Sequence, residues 1–144
     1  MPELPEVETI RLGLARHLPG KRVTGVDHDW PKSFPNAPAD VNKFLVGAEI
    51  TGVKRRGKAL IVSLSSGYSL VIHLKMTGQL VLRGPHERFG AGHPSDSLVG
   101  ELPDRSTRVT LEFGDDSRLF FNDQRKFGWM RLLPADAVME LDFF

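Results

Sequence analysis

Between Glu49 and Leu82 four strand-like runs follow one another with only turn residues between them, and this spacing restricts the fold more than any other feature of the chain. The runs are Glu49 to Arg55, Lys58 to Leu64, Tyr68 to Leu74 and Gln79 to Leu82, broken by Arg56-Gly57, Ser65-Ser66-Gly67 and Met76-Thr77-Gly78. Strands so close in sequence pair antiparallel. Lys21 to Asp29 precedes them, and Thr107 to Phe113, Arg118 to Asn122 and Gly128 to Leu133 follow, the first two of these joined by Gly114-Asp115-Asp116-Ser117. Two segments read as helix. From Pro5 to Leu18, Val7, Ile10, Leu14 and Leu18 recur at helical spacing ahead of a Pro19-Gly20 stop, and Val41 to Val46 ends at Gly47. About eight strands, two flanking α-helices and no βαβ rhythm predict a mainly β fold, an antiparallel β-sandwich.

Trp30 to Asp40 is a loop enforced by Pro31, Pro35 and Pro38, and Arg83 to Ser106, rich in Gly, Pro, His and charge, reads as a long surface loop. With 144 residues one domain is expected, 1–134, closed by Pro134. Residues 135–144 read as the start of a linker or helix that stops without a cap. The ending Leu141-Asp142-Phe143-Phe144 leaves apolar residues exposed, so a truncated chain is expected. The absence of cysteine excludes disulfides and thiolate metal sites, and His17, His28, His73, His86 and His93 lack the spacing of a helical zinc motif. No apolar run approaches a membrane span and no signal-like opening is present, which predicts a soluble cytoplasmic protein with no membrane partner. A formal net charge of +1 does not announce a nucleic-acid binder, so any such function must rest on local clusters.

The opening Met1-Pro2-Glu3-Leu4-Pro5-Glu6 sets a potential terminal secondary amine beside a carboxylate. With Met1 removed, Pro2 has an imino nitrogen of pKa about 7.7 to 8.0, partly unprotonated at neutral pH and able to attack a carbon electrophile. Glu3 is then the proton handler, and Glu6 orients Glu3 or a water. The bland alternative is a stiffened terminus with acids suited to a helix start. Three further clusters stand out. Lys54-Arg55-Arg56-Gly57-Lys58 puts four cations at a tight turn, a phosphate seat or merely a solvated hairpin. His73-Leu74-Lys75-Met76-Thr77-Gly78 carries an exposed-looking methionine, otherwise a loose core contact. Asn122-Asp123-Gln124-Arg125-Lys126-Phe127-Gly128 carries a guanidinium two residues before an aromatic ring, which could pair with a base and wedge a duplex, or pack inward as a basic loop.

The run from Met1 to Thr9 resembles the opening of the formamidopyrimidine-DNA glycosylases, and the three later clusters agree with that family in order. The resemblance spans nearly the whole chain but only about half of a family member. It implies a base-excision enzyme for oxidised purines such as 8-oxoguanine and formamidopyrimidines, a bifunctional glycosylase and abasic-site lyase using a Pro2 Schiff base and β,δ-elimination. It assigns Lys58 to the catalytic centre and the lesion's phosphate, His73 to a phosphate, and Met76, Arg125 and Phe127 to the gap left by an extruded base. It implies damaged double-stranded DNA as partner, a monomer, and no cofactor in this chain, zinc belonging to a C-terminal half with a helix-two-turn-helix element. Gln124 and Lys126 depart from the usual Asp-Pro-Arg-Arg-Phe-Gly, which bears on loop stiffness. Two alternatives stay open: an endonuclease VIII-like enzyme for oxidised pyrimidines, disfavoured by Leu4, and a non-catalytic DNA-binding fragment if Met1 is retained and Pro2 becomes a tertiary amide.

Overall fold

A computed structural model describes residues 2–140; the expectations for Met1 and for the apolar ending at 141–144 lie outside the described residues. In chain order the elements are α1 (Leu4–His17), β1 (Val23–His28), α2 (Pro38–Asp40) running into a π turn at Val41–Leu45, β2 (Ile50–Arg56), β3 (Ala59–Leu64), β4 (Tyr68–His73), β5 (Gly78–Arg83), β6 (Arg88–Gly92), β7 (Thr107–Phe113), β8 (Arg118–Asp123), β9 (Trp129–Pro134) and α3 (Ala135–Val138). The strands form two sheets, ordered β1-β7-β8-β5-β6 and β2-β3-β4-β9, with every pairing antiparallel.

Alternate residues face inward, as a strand period of two requires. Leu60, Val62, Leu70, Ile72, Met130 and Leu132 of the smaller sheet meet Leu80, Leu82, Val109, Leu111, Leu119 and Phe121 of the larger in one core. The helical stripe of α1 closes that core with Val7, Ile10 and Leu14, and Leu18 follows just past its end. Each such side chain contributes about 1.5 to 3 kcal/mol on full burial.

The sandwich is as expected, with one added strand. Residues 88–92 form β6 inside the segment read as a long loop, paired with β5 from Gln79↔Gly92 to Arg83↔Arg88. Arg88-Phe89-Gly90-Ala91-Gly92 offers no apolar alternation, because it is an edge strand held by its backbone ladder and by one ring. Phe89 lies on α1 where Gly13 leaves no room for a Cβ. The segment also holds a 3-10 turn at Asp96–Leu98, whose first turn is capped by the Ser95 hydroxyl accepting from the Ser97 N–H.

Two connections pass from one sheet to the other at the same end of the sandwich. Residues 74–77 lead from β4 to β5, and residues 124–128 lead from β8 to β9. Because Gly78 pairs with Asp123 on one sheet and His73 with Trp129 on the other, the register itself sets these loops side by side. Gly128 lies at their closest approach: a Cβ there would stand 2.7 Å from Phe121 Cζ and 2.8 Å from the His73 carbonyl oxygen. Gly128→Ala should therefore lower stability by about 1 to 3 kcal/mol through overpacking. Urea unfolding checks this, and an unchanged midpoint would mean that the corner yields without cost.

Candidate active site and nucleic-acid interface

Pro2 is buried, although the residues that follow it are exposed. Glu3 is extended and caps α1, its carbonyl accepting from Val7 N–H at 3.0 Å, while Pro5 occupies the first turn, where a missing N–H costs nothing. The burial comes from a crevice lined by Pro2, Val7, Lys58, His73, Leu74 and Lys75. Lys58 reaches it from the turn between β2 and β3, where Gly57 takes a φ of +57°. Its ammonium approaches Glu3 Oε2 at 3.4 Å, a long contact with a carboxylate side chain that is 70% exposed. A pair this open is worth well under about 1 kcal/mol. Glu3 thus stands at the mouth, and Pro2 and His73 lie within.

The other expected members are not all gathered here. Glu6 is exposed on the first turn of α1 and does not line the crevice. The four cations of residues 54–58 diverge. Arg55 bonds Glu8 at 2.9 Å, Arg56 turns to the Val138 and Met139 carbonyls, and only Lys58 faces Pro2. Glu8 is held down to about 2 by its hydrogen bonds, first from Arg11 and then from Arg55.

His73 is 4% exposed, and its Nδ1 accepts the Lys75 N–H at 3.1 Å, so a neutral ring carries its proton on Nε2. Burial, followed by the charges of Lys75 and Lys58, lowers its pKa from 6.5 to about 4. The group can donate one hydrogen bond without bringing a charge. Lys75 itself sits at φ +54°, in the left-handed region, which turns the chain out into the 74–77 loop.

At that loop's tip Met76 is 46% exposed, and across the corner Phe127 is 56% exposed. The Arg125 guanidinium stacks 5.1 Å from the Phe127 ring centre. Between the loops the buried Asp123 carboxylate accepts from the Thr77 hydroxyl, from Arg125 N–H at 3.2 Å and from Gly128 N–H at 2.6 Å. The structure thus sets Met76, Arg125 and Phe127 on one corner, next to the crevice through His73 and Gly128. Sequence reading passed over Asp123 as an organiser. The signal was available, since an Asp bonding the N–H two residues on is an Asx turn. It also passed over Trp30, whose ring lies under the Lys126 ammonium at 4.4 Å, a long-range contact with no local signature.

Because His73 titrates lower in the folded protein than in the unfolded chain, the unfolded state takes up the proton first as pH falls. The stability that neutral His73 supplies is complete above pH 6.5 and is lost as pH drops towards 4, by at most about 3 kcal/mol. His73→Gln should flatten the stability profile between pH 6.5 and 4.5. Chemical denaturation across that range reads the difference, and parallel profiles for the two proteins would contradict the burial argument.

A family model described as formamidopyrimidine-DNA glycosylase N-terminal domain matches residues 1–130. The formamidopyrimidine-DNA glycosylase of Chloroflexus aurantiacus is 38% identical over 143 residues, covering 99% of this chain and 46% of its own length. The chain thus spans about half the length of the relatives it matches. Among solved structures, wild-type Lactococcus lactis Fpg in complex with N7-benzyl-Fapy-dG containing DNA aligns with a TM-score of 0.79 at 29% identity, covering 96% of this chain and 46% of the other. The same enzyme in complex with abasic-site DNA aligns with the same TM-score, identity and coverage.

Proposed function

The chain belongs to the formamidopyrimidine-DNA glycosylase family, matching its N-terminal domain, and on that premise we propose that it excises oxidised purines from duplex DNA and cleaves the resulting abasic site. The observation that carries this reading is the crevice holding Pro2, Lys58 and His73 together beside an exposed corner of Met76, Arg125 and Phe127. In the proposed reaction the free Pro2 nitrogen attacks C1′ of the damaged nucleoside. The C1′–N bond to the base breaks, and the proton shed by the Pro2 nitrogen on bonding to C1′ passes to the base, which leaves neutral. Glu3, at the mouth of the crevice, delivers a proton to the ring oxygen as the sugar opens to an iminium. The iminium acidifies the C2′ hydrogen, the 3′ phosphate departs by β-elimination, and δ-elimination then expels the 5′ phosphate.

Lys58 and the neutral His73 Nε2–H are suited to the phosphate flanking the lesion, one as a charge and the other as a directed donor. This chemistry needs no cofactor, and we take the enzyme to act as a monomer on DNA inside the cell. Extrusion of a base costs a few kcal/mol of stacking, part of which Met76 and Phe127 recover by filling the vacancy. Arg125 then donates to the orphaned base. Cytosine presents acceptors at O2 and N3, whereas the pairing edge of adenine also carries a donor.

Two outcomes are expected. Borohydride reduction of the chain with an abasic-site duplex should yield a covalent adduct whose peptide map places it on Pro2, and an adduct on Lys58 instead would sink the mechanism. Arg125→Ala should narrow the preference for a cytosine over an adenine opposite the abasic site by about 1 to 3 kcal/mol, the scale of one good base contact. Fluorescence anisotropy on the two duplexes measures it, and undiminished discrimination would remove Arg125 from the role.

A further inference from the structure

The 124–128 loop stands out from the sandwich, and Lys126 within it takes a φ of +62°, a conformation that a side-chain-bearing residue holds only when its surroundings enforce it. Asp123 anchors the base of the loop. The tip has a separate support. Lys126 Nζ lies 4.4 Å from the centre of the Trp30 ring, a contact made by residues that take no part in the 74–77 turn's tie to Asp123. Trp30 itself rests on a firm seat. Its carbonyl accepts from Ser33 N–H at 3.0 Å in the 3-10 turn Pro31–Ser33, and the next residue, Phe34, is buried. Asn36 then brackets the free edge of β9, donating from Nδ2 to the Met130 carbonyl at 3.1 Å and accepting Leu132 N–H at 2.7 Å. On the other side Asp29 N–H bonds the Arg108 carbonyl of β7 at 3.1 Å. The segment that carries the ring is thus fastened to both sheets.

We propose that Trp30 is a positioning residue: by holding the Lys126 ammonium it fixes the 124–128 loop in the pose that presents Arg125 and Phe127, and so reduces the ordering cost of engaging DNA. The clause about DNA rests on the function proposed above; the fixing of the loop does not. An ammonium on a ring face is not spent on a phosphate, so Lys126 contributes to affinity through geometry and adds nothing to counterion release.

The test compares the wild-type chain with Trp30→Ala, Trp30→Phe, Lys126→Met and the Ala/Met double variant. Amide hydrogen exchange of the free proteins should quicken at residues 124–128 in Trp30→Ala and Lys126→Met, and return towards wild type in Trp30→Phe. Anisotropy with a duplex carrying one abasic-site analogue should show each single loss weakening binding by roughly two- to fivefold, the factor one exposed cation–π contact supplies. The double variant should weaken it no further, and the slope of log affinity against log salt should not change. A slope shallower by ~0.9 in Lys126→Met would make Lys126 a phosphate contact and overturn the proposal. Unaltered exchange at 124–128 in Trp30→Ala would overturn it as well. Should the wild type fail to bind the duplex while the exchange pattern holds, the DNA reading falls and the loop support stands.

Discussion

One carboxylate holds the functional end of this sandwich together. Asp123 is 1% exposed, and its three donors come from both of the loops that cross between the sheets. Without it the Gly128 N–H and the Thr77 hydroxyl would lose their acceptor and the Arg125 N–H would keep only its bond to the Thr77 hydroxyl at 3.3 Å, and a buried donor left unpaired, as at Gly128, costs about 1 to 3 kcal/mol. The strand register brings the two loops to the same corner, but register alone fixes only where they begin and end. The carboxylate converts that adjacency into a defined surface.

The two halves of the site solve opposite problems. At the crevice, Pro2 is enclosed by Val7, Leu74 and the stems of Lys58 and Lys75, and the imidazole beside it is held neutral. At the corner, the apolar side chains of Met76 and Phe127 are instead kept in solvent at a standing cost. Gly128, pressed against the His73 carbonyl, is the point where these environments meet.

Much of this was readable from residue order. Strand-like runs bounded by turn residues marked eight of the nine strands, the spacing of Val7, Ile10, Leu14 and Leu18 defined α1, and the Met76 and Arg125 clusters were recognisable as exposed turns. β6 was not readable, because two glycines, an alanine and a leading arginine around a single ring leave a backbone ladder as its main support. The divergence of the cations at 54–58 was hidden for a related reason. A run of basic residues on a strand sends successive side chains to opposite faces, and their partners, Glu8 and the Val138 and Met139 carbonyls, are remote in sequence. The seat under Lys126 depends on a tryptophan almost a hundred positions earlier, beyond the reach of any local pattern.

The glycine beneath Phe89 has a mechanical meaning. α1 carries the Pro2 end at its head, is sunk in the core at Leu14 and Leu18, and touches the Phe89 ring at Gly13. At a rise of about 1.5 Å per residue, Gly13 stands roughly 8 Å from Leu18 and Leu4 roughly 20 Å from it. Over that span the helix is braced throughout, by the core at Val7, Ile10 and Leu14 and by an edge strand at Gly13. A side chain at position 13 would push against the Phe89 ring, so the seating of the segment that ends at Pro2 is gauged by a strand on the other sheet.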